Sequence, residues 1–267
     1  MNALAYAVAD GVTIAKRNLI RTKRLPDVLV FTTMSPIMFV LLFAYVFGGS
    51  IDIPGTSYRE FLIAGIFAQN IIFGASFTGV GLADDMTKGI IDRFRSLPMA
   101  RSAVLVGRTA SDIVNNSIAI TVMAIAGLIV GWRIRTSPLE ALGGFLLLLL
   151  FAYAISWIMA FVGLKVRSVE VVNNASFMFI FPLTFIANTF VPSQNLPGVL
   201  RTFAEWNPVS ALAQAAREAF GNAVPYTSQS EAWSLDNPVA YVLIWVTLIL
   251  SVFVPLSVRQ YNKATSR

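Results

Sequence analysis

The chain has 267 residues, 56% of them hydrophobic and only 13% charged, with a mean hydropathy of +0.70. A soluble domain needs roughly a quarter of its residues charged to coat its surface, so that class is excluded. Cysteine and histidine are absent, which removes disulfides, thiol chemistry, thiolate and imidazole metal sites and the commonest general base. The net charge of +6 does not indicate nucleic acid, because the basic residues flank apolar runs and are not gathered on a polar domain.

Residues 1–27 precede the first long apolar run. Ala5, Val8, Val12, Ala15 and Leu19 recur at helical spacing, followed by Lys16, Arg17, Arg21, Lys23 and Arg24. This predicts an interfacial helix with its basic end near anionic headgroups. A secretory signal is disfavoured, since the apolar run from Val28 to Gly48 has full span length and lacks a small-residue cleavage site.

Six stretches are long and apolar enough to cross a bilayer: about 28–48, 61–82, 109–131, 139–163, 171–191 and 239–257. An even number puts both termini, including a tail at 258–267, on one side. With that side cytoplasmic, only Arg59, Arg133, Arg135, Arg201 and Arg217 fall outside among the 20 basic residues, a clear positive-inside bias. The expectation is an all-α, multi-pass protein of the cell membrane, with 28–257 as its six-helix domain.

Between the second and third spans runs DDMTKGIIDRFRSLPMARSAVLVGR, the longest charge-rich interruption. The pattern predicts a short amphipathic helix within 84–101. Ile90, Phe94 and Leu97 share one face, Lys88, Asp92, Arg93 and Arg95 lie elsewhere on the wheel, and Pro98 ends it. Asp84 and Asp85 ahead of it and arginines at its end suit the helix dipole. Physical chemistry leaves two readings open: a segment that docks on a partner at the membrane face, or a loop helix resting on lipid headgroups. Arg108 and Asp112, four apart, would pair at the start of the third span.

Several spans carry amides, with Gln69 and Asn70 in the second, Asn115 and Asn116 in the third, and Asn173, Asn174 and Asn188 in or beside the fifth. In hydrocarbon such groups face other helices or a polar path. Interhelical packing is the commoner use. Gln69, Asn70, Asn173, Asn174 and Asn188 are the candidates for a substrate path. Segment 192–238 is too apolar for a free loop and too broken by Pro192, Pro197 and Pro208 for another span. Leu196, Val199, Leu200 and Phe203 form one apolar face, and Leu212, Ala215, Ala216 and Phe220 a second. This predicts two short helices within 192–221 that dip into the outer leaflet or cap the bundle.

A phosphate-binding loop needs Gly-Lys before Ser or Thr, but the lysines follow Ala15, Thr22, Thr87, Leu164 and Asn262. No span carries a central charge suited to a proton relay. Uphill transport would therefore draw its energy from another chain. A stand-alone membrane enzyme acting on lipid headgroups would need an interfacial polar cluster. The adjacent Asp84 and Asp85 point about 100 degrees apart on a helix and make a poor metal pair. A secondary transporter is disfavoured by the lack of intramembrane charge.

The chain resembles the membrane permeases of type-2 ABC exporters, and among them the daunorubicin-resistance permeases. The resemblance spans nearly the whole sequence. It rests on Lys88-Gly89-Ile90, Asp92-Arg93-Phe94-Arg95-Ser96-Leu97-Pro98, Arg101 and Gly107-Arg108, then Leu196-Pro197, Asn207-Pro208 and Arg217, and the closing Arg259-Gln260-Tyr261. It implies six spans with a cytoplasmic elbow helix, a coupling helix between the second and third, and two re-entrant helices before the sixth. It also implies a permease dimer bound to two copies of a separate ABC-class ATPase. ATP and magnesium would be held by that partner and none by this chain. The resemblance places Lys88, Gly89, Ile90, Asp92, Arg93, Phe94, Arg95, Leu97, Pro98, Arg101 and Arg108 at the ATPase contact. Substrates of such permeases are amphipathic drugs, lipids and polyketides.

Overall fold

The computed structural model describes residues 3–24, 26–47, 57–95, 103–166, 168–223 and 232–264, and every regular element among them is helical. In order they are α1 (Ala3–Lys23), α2 (Pro26–Leu42, continued by a π-helical Phe43–Phe47), α3 (Tyr58–Thr87), α4 (Ile90–Arg95), α5 (Ala103–Val130), α6 (Pro138–Lys165), α7 (Val169–Phe185), α8 (Gly198–Glu205), α9 (Pro208–Phe220), α10 (Trp233–Asp236) and α11 (Pro238–Ala264).

Local sequence explains where the helices begin. Ser57 and Glu60 open α3, and Ser137 and Glu140 open α6; each serine hydroxyl accepts the glutamate N–H. The S-x-x-E spacing satisfies a backbone donor that would otherwise be unpaired at a helix start. Pro138 and Pro208 occupy first-turn positions, where the missing N–H costs nothing.

Four helices are long and apolar enough to cross a membrane: α3, α5, α6 and α11. The other two expected spans, 28–48 and 171–191, correspond to shorter apolar helices, Met34–Val46 and Val169–Phe185. α7 ends at Phe185, three residues after Pro182, and the remainder of the expected fifth span is a turn. The most buried of the four long helices is α3, which packs on α5, α6, α7 and α9. Backbones close up at glycines: a Cβ on Gly79 would lie 2.6 Å from the Met159 carbonyl, and one on Gly163 would collide with Gly79 itself.

α1 and the end of α11 lie at one end of this bundle, the elbow end. There Tyr261 shares a buried cluster with Leu82, Ile91, Val104 and Leu105. At the opposite, distal end Trp132 stands edge-on to Phe67 and Phe220, with ring centroids at 5.4 and 5.3 Å, and its Nε1 donates to Asn222 at 2.7 Å.

α1 corrects one expectation. Its buried face is Gly11, Ile14 and Asn18, whereas Val12 of the predicted stripe is 62% exposed. The cause is contact with α5: a Cβ on Gly107 would lie 2.6 Å from both the Gly11 carbonyl and Ile14 Cβ. Small residues fix the contact face, and the predicted stripe through Val12, Ala15 and Leu19 is only partly buried.

Candidate coupling and transport sites

α3 runs past the predicted end of the second span to Thr87, so Asp84 and Asp85 belong to its last turns and do not precede a separate helix. The break comes at Lys88 and Gly89. Gly89 has φ 64, a left-handed conformation that glycine adopts without steric cost. The helix expected within 84–101 is therefore α4, Ile90–Arg95, with Asp92 and Arg95 inside it. Leu97, Pro98 and Arg101 lie outside the described residues. Lys88 pairs with Asp84 at 2.8 Å on an exposed surface, a contact of small energetic weight.

The apolar face of α4 is rotated from the predicted one. Ile91 is 1% exposed within the Leu82, Val104, Leu105 and Tyr261 cluster, and Phe94 packs partly against it. Ile90 is half-buried and Arg93 exposed. Docking against α5 and α11 explains the rotation, since α4 is too short to choose its orientation by itself.

Arg17 of α1 bridges the Gly89 turn. Its guanidinium lies 3.1 Å from Asp85 and 4.8 Å over the Phe94 ring, so it touches the helix before the turn and the helix after it. Asp85 is buried, and the pair with Arg17 offsets part of the cost of burying its charge. Beside it, Asn18 accepts from Arg17 at 3.1 Å and donates to Ser111 at 3.4 Å.

Arg108 of α5 is held between α3 and its own helix. It donates to the Phe77 carbonyl at 2.8 Å, lies against Gly81 and stands 3.9 Å from Asp112, which also accepts from Thr78. The predicted pairing with Asp112 is therefore loose, and the stronger contact is to the α3 backbone.

The candidate path amides do not form one set. Gln69 is buried and Asn70 half-buried. Asn70, Phe73, Gly74 and Phe77, spaced i, i+3, i+4 and i+7, belong to the least buried stripe of α3. Phe73 meets Phe177 of α7 at 5.7 Å, and the Asn116 side chain of α5 lies against Gly74. Asn173 and Asn174 are exposed on α7. Asn188 is fully buried at the distal end.

That distal end holds a fully buried arginine, Arg217 of α9. It donates to the Phe61 carbonyl at 3.0 Å, to the Asn188 side-chain oxygen, and to the Asn188 and Thr189 carbonyls at 2.6 and 3.3 Å. Its guanidinium lies 3.6 Å over the Phe61 ring. The C-terminal end of α7 carries partial negative charge and favours a cation there. Asn207 ties the same elements: its amide donates to the Leu183 and Ile186 carbonyls at 2.7 and 2.9 Å, while its oxygen caps α9 at Val209.

The family model for ABC-2 type transporters matches residues 11–220 of the chain. The chain belongs to this family. Among its relatives is the daunorubicin resistance ABC transporter permease protein DrrB1 of Streptomyces coeruleorubidus, 31% identical over 260 residues, covering 97% of this chain and 88% of the relative. The probable doxorubicin resistance ABC transporter permease protein DrrC of Mycobacterium tuberculosis, in strains CDC 1551 / Oshkosh and ATCC 25618 / H37Rv, is 24% identical over 267 residues, covering 99% and 92%. This ABC-2 permease is thus a membrane protein, and the matched region takes in α1, the Gly89 turn and the Arg217 knot.

Three residues of these sites escaped the sequence reading. Arg17 and Asp85 were read as headgroup and helix-start charges, because no local pattern links positions 68 residues apart. Arg217 was assigned to the outer surface. Its signal was available: α9 is rich in small residues on every side, Ala211, Ala213, Ala215 and Ala216, which marks a helix buried all round.

Proposed function

We propose that this permease is the transmembrane subunit of an ATP-driven exporter for an amphipathic drug of the daunorubicin and doxorubicin kind. Two copies would form the path, and two copies of a separate ATPase subunit, holding ATP and magnesium, would drive it. In this reading α2, α3, α5, α6, α7 and α11 make six crossings, the elbow end faces the cytoplasm with both termini, and α8 and α9 are re-entrant from the outer side.

The observation that carries the reading is α4. It is a six-residue helix hung from the most buried long helix by a glycine turn and braced by Arg17 of the elbow helix. Displacing α4 would push directly on α3 and α1. Half-buried Ile90 and exposed Arg93 of α4 would meet the ATPase, with Lys88 beside them. The least buried stripe of α3, Asn70, Phe73, Gly74 and Phe77, facing α7 through Phe177, would line the path. Aromatic rings and one amide suit a planar, amphipathic substrate.

The test is assembly and coupling. Ile90→Ala with Arg93→Ala should lower co-purification of the ATPase subunit or leave hydrolysis running without transport. Unchanged complex and unchanged transport would refute the assignment of α4.

A further inference from the structure

We infer that Arg217 is the latch of the distal gate: it holds the turn after α7 against α3 in the closed state and lets go when the path opens at that end. The inference rests on the transport reading above and concerns a part of the permease remote from α4.

The turn between α7 and α8 is gripped from both sides. From α9, Arg217 binds the Asn188 and Thr189 carbonyls and the Asn188 side chain, and Ser210 accepts the Asn188 N–H at 2.9 Å. From α3, Phe61 offers its carbonyl and ring to the same guanidinium, Tyr58 donates to the Phe190 carbonyl at 3.1 Å, and Gly65 leaves no room for a Cβ beneath the Thr189 carbonyl. Arg217, anchored on α9, is in direct contact with both α3 and the turn.

The chemistry of the grip is that of a release. Among the described residues no carboxylate pairs with Arg217; every acceptor is a neutral carbonyl or amide. A buried ion pair would leave an uncompensated charge when broken. Neutral acceptors can exchange to water. Asn188 Nδ2, Ser193 Oγ and Gln214 Oε1 are buried without a protein hydrogen-bond partner, and such atoms can gain hydrogen bonds in a state that admits water. A joint held by one cation and flanked by such polar groups has the two discrete arrangements that a gate requires. Its position also fits, because α3 and α7, the two helices it joins, flank the proposed path.

The experiment uses the absence of cysteine from the chain. Ser193→Cys, at a fully buried position whose hydroxyl has no partner, serves as reporter for a membrane-impermeant maleimide in membranes containing the full-length permease. In that background Asn188→Asp supplies the missing carboxylate and tightens the latch, whereas Arg217→Lys keeps the charge but cannot reach all its acceptors. Labelling should slow about tenfold in the first and quicken about tenfold in the second, the effect of one charge-assisted hydrogen bond. With the ATPase subunit present, Asn188→Asp should also slow doxorubicin transport while raising Tm.

A purely structural role would not produce a more stable protein that transports more slowly. Equal labelling in all three proteins, or faster transport by the stabilised variant, overturns the latch. Opposite labelling effects without any ATPase-dependent transport keep the latch and overturn the exporter reading.

Discussion

Arg17 and Asp85, 68 residues apart in the chain, meet at 3.1 Å where α1 crosses the end of the longest helix. The pair is asymmetric, with 34% of the arginine side chain but only 3% of the aspartate exposed. The carboxylate is committed to the interior, and the arginine joins it from a half-exposed position on α1.

Arg17→Ala is expected to leave ATPase assembly intact while lowering transport per ATP hydrolysed severalfold, because it frees α4 from α1 and removes the ion pair that ties α1 to the end of α3. Arg17→Lys restores the charge for Asp85 but not the flat contact over Phe94, so it should recover stability more than coupling. Paired measurements of hydrolysis and transport check this, and equal recovery of both would remove Phe94 from the argument.

Pairing can be separated from packing by adding Asp85→Asn to Arg17→Ala. Asp85→Asn should cost more in the native background than beside Arg17→Ala, by about 1 kcal/mol, since the ion pair contributes only when both partners are present. Thermal unfolding in detergent gives the comparison.

Gly163→Val should destabilise the bundle by about 1–3 kcal/mol or more, the range for overpacking, because a Cβ there collides with Gly79 of α3. Gly143, with open space around it, is the control: Gly143→Ala should cost nothing and gain a few tenths of a kcal/mol from helix propensity, at most about 1. Tm values of the two variants decide the matter.

Asn207→Ala removes the N-cap of α9 and both hydrogen bonds to the end of α7. A cap alone is worth about 0.5–2 kcal/mol, and the two uncapped carbonyls add to it. The loss in Tm should exceed that of Ser137→Ala, which removes only a cap, at α6.

Much of this architecture was legible in the sequence. Apolar runs located the long helices, Asn207-Pro208 and Pro197 marked the starts of α9 and α8, and the charged interruption at 84–101 located the α3–α4 joint. What the sequence could not show is tertiary. The helical wheel of α4 chose Ile90, but docking chose Ile91, one residue further round. The predicted stripe of α1 is only partly buried, because Gly11 and Gly107 turn the adjacent face of Gly11, Ile14 and Asn18 inward. α3 outran its hydrophobic stretch because Asp85 had a partner in α1. Arg217 counted as an outer-surface charge until the carbonyls of the α7 turn were seen to surround it.

Phe73→Ala and Asn70→Ala test the proposed path. Both sit on the least buried stripe of α3, away from the α4 joint, so each should raise the apparent KM for drug severalfold with basal ATP hydrolysis unchanged. Loss of hydrolysis in step with transport would place them in the coupling route and not in the path.

The most direct measurement is ATP-dependent doxorubicin accumulation in inside-out proteoliposomes containing the permease alone or with its ATPase subunit. The account predicts accumulation only when both are present, and its loss when Ile90 and Arg93 are replaced together. Uphill accumulation by the permease alone would contradict it.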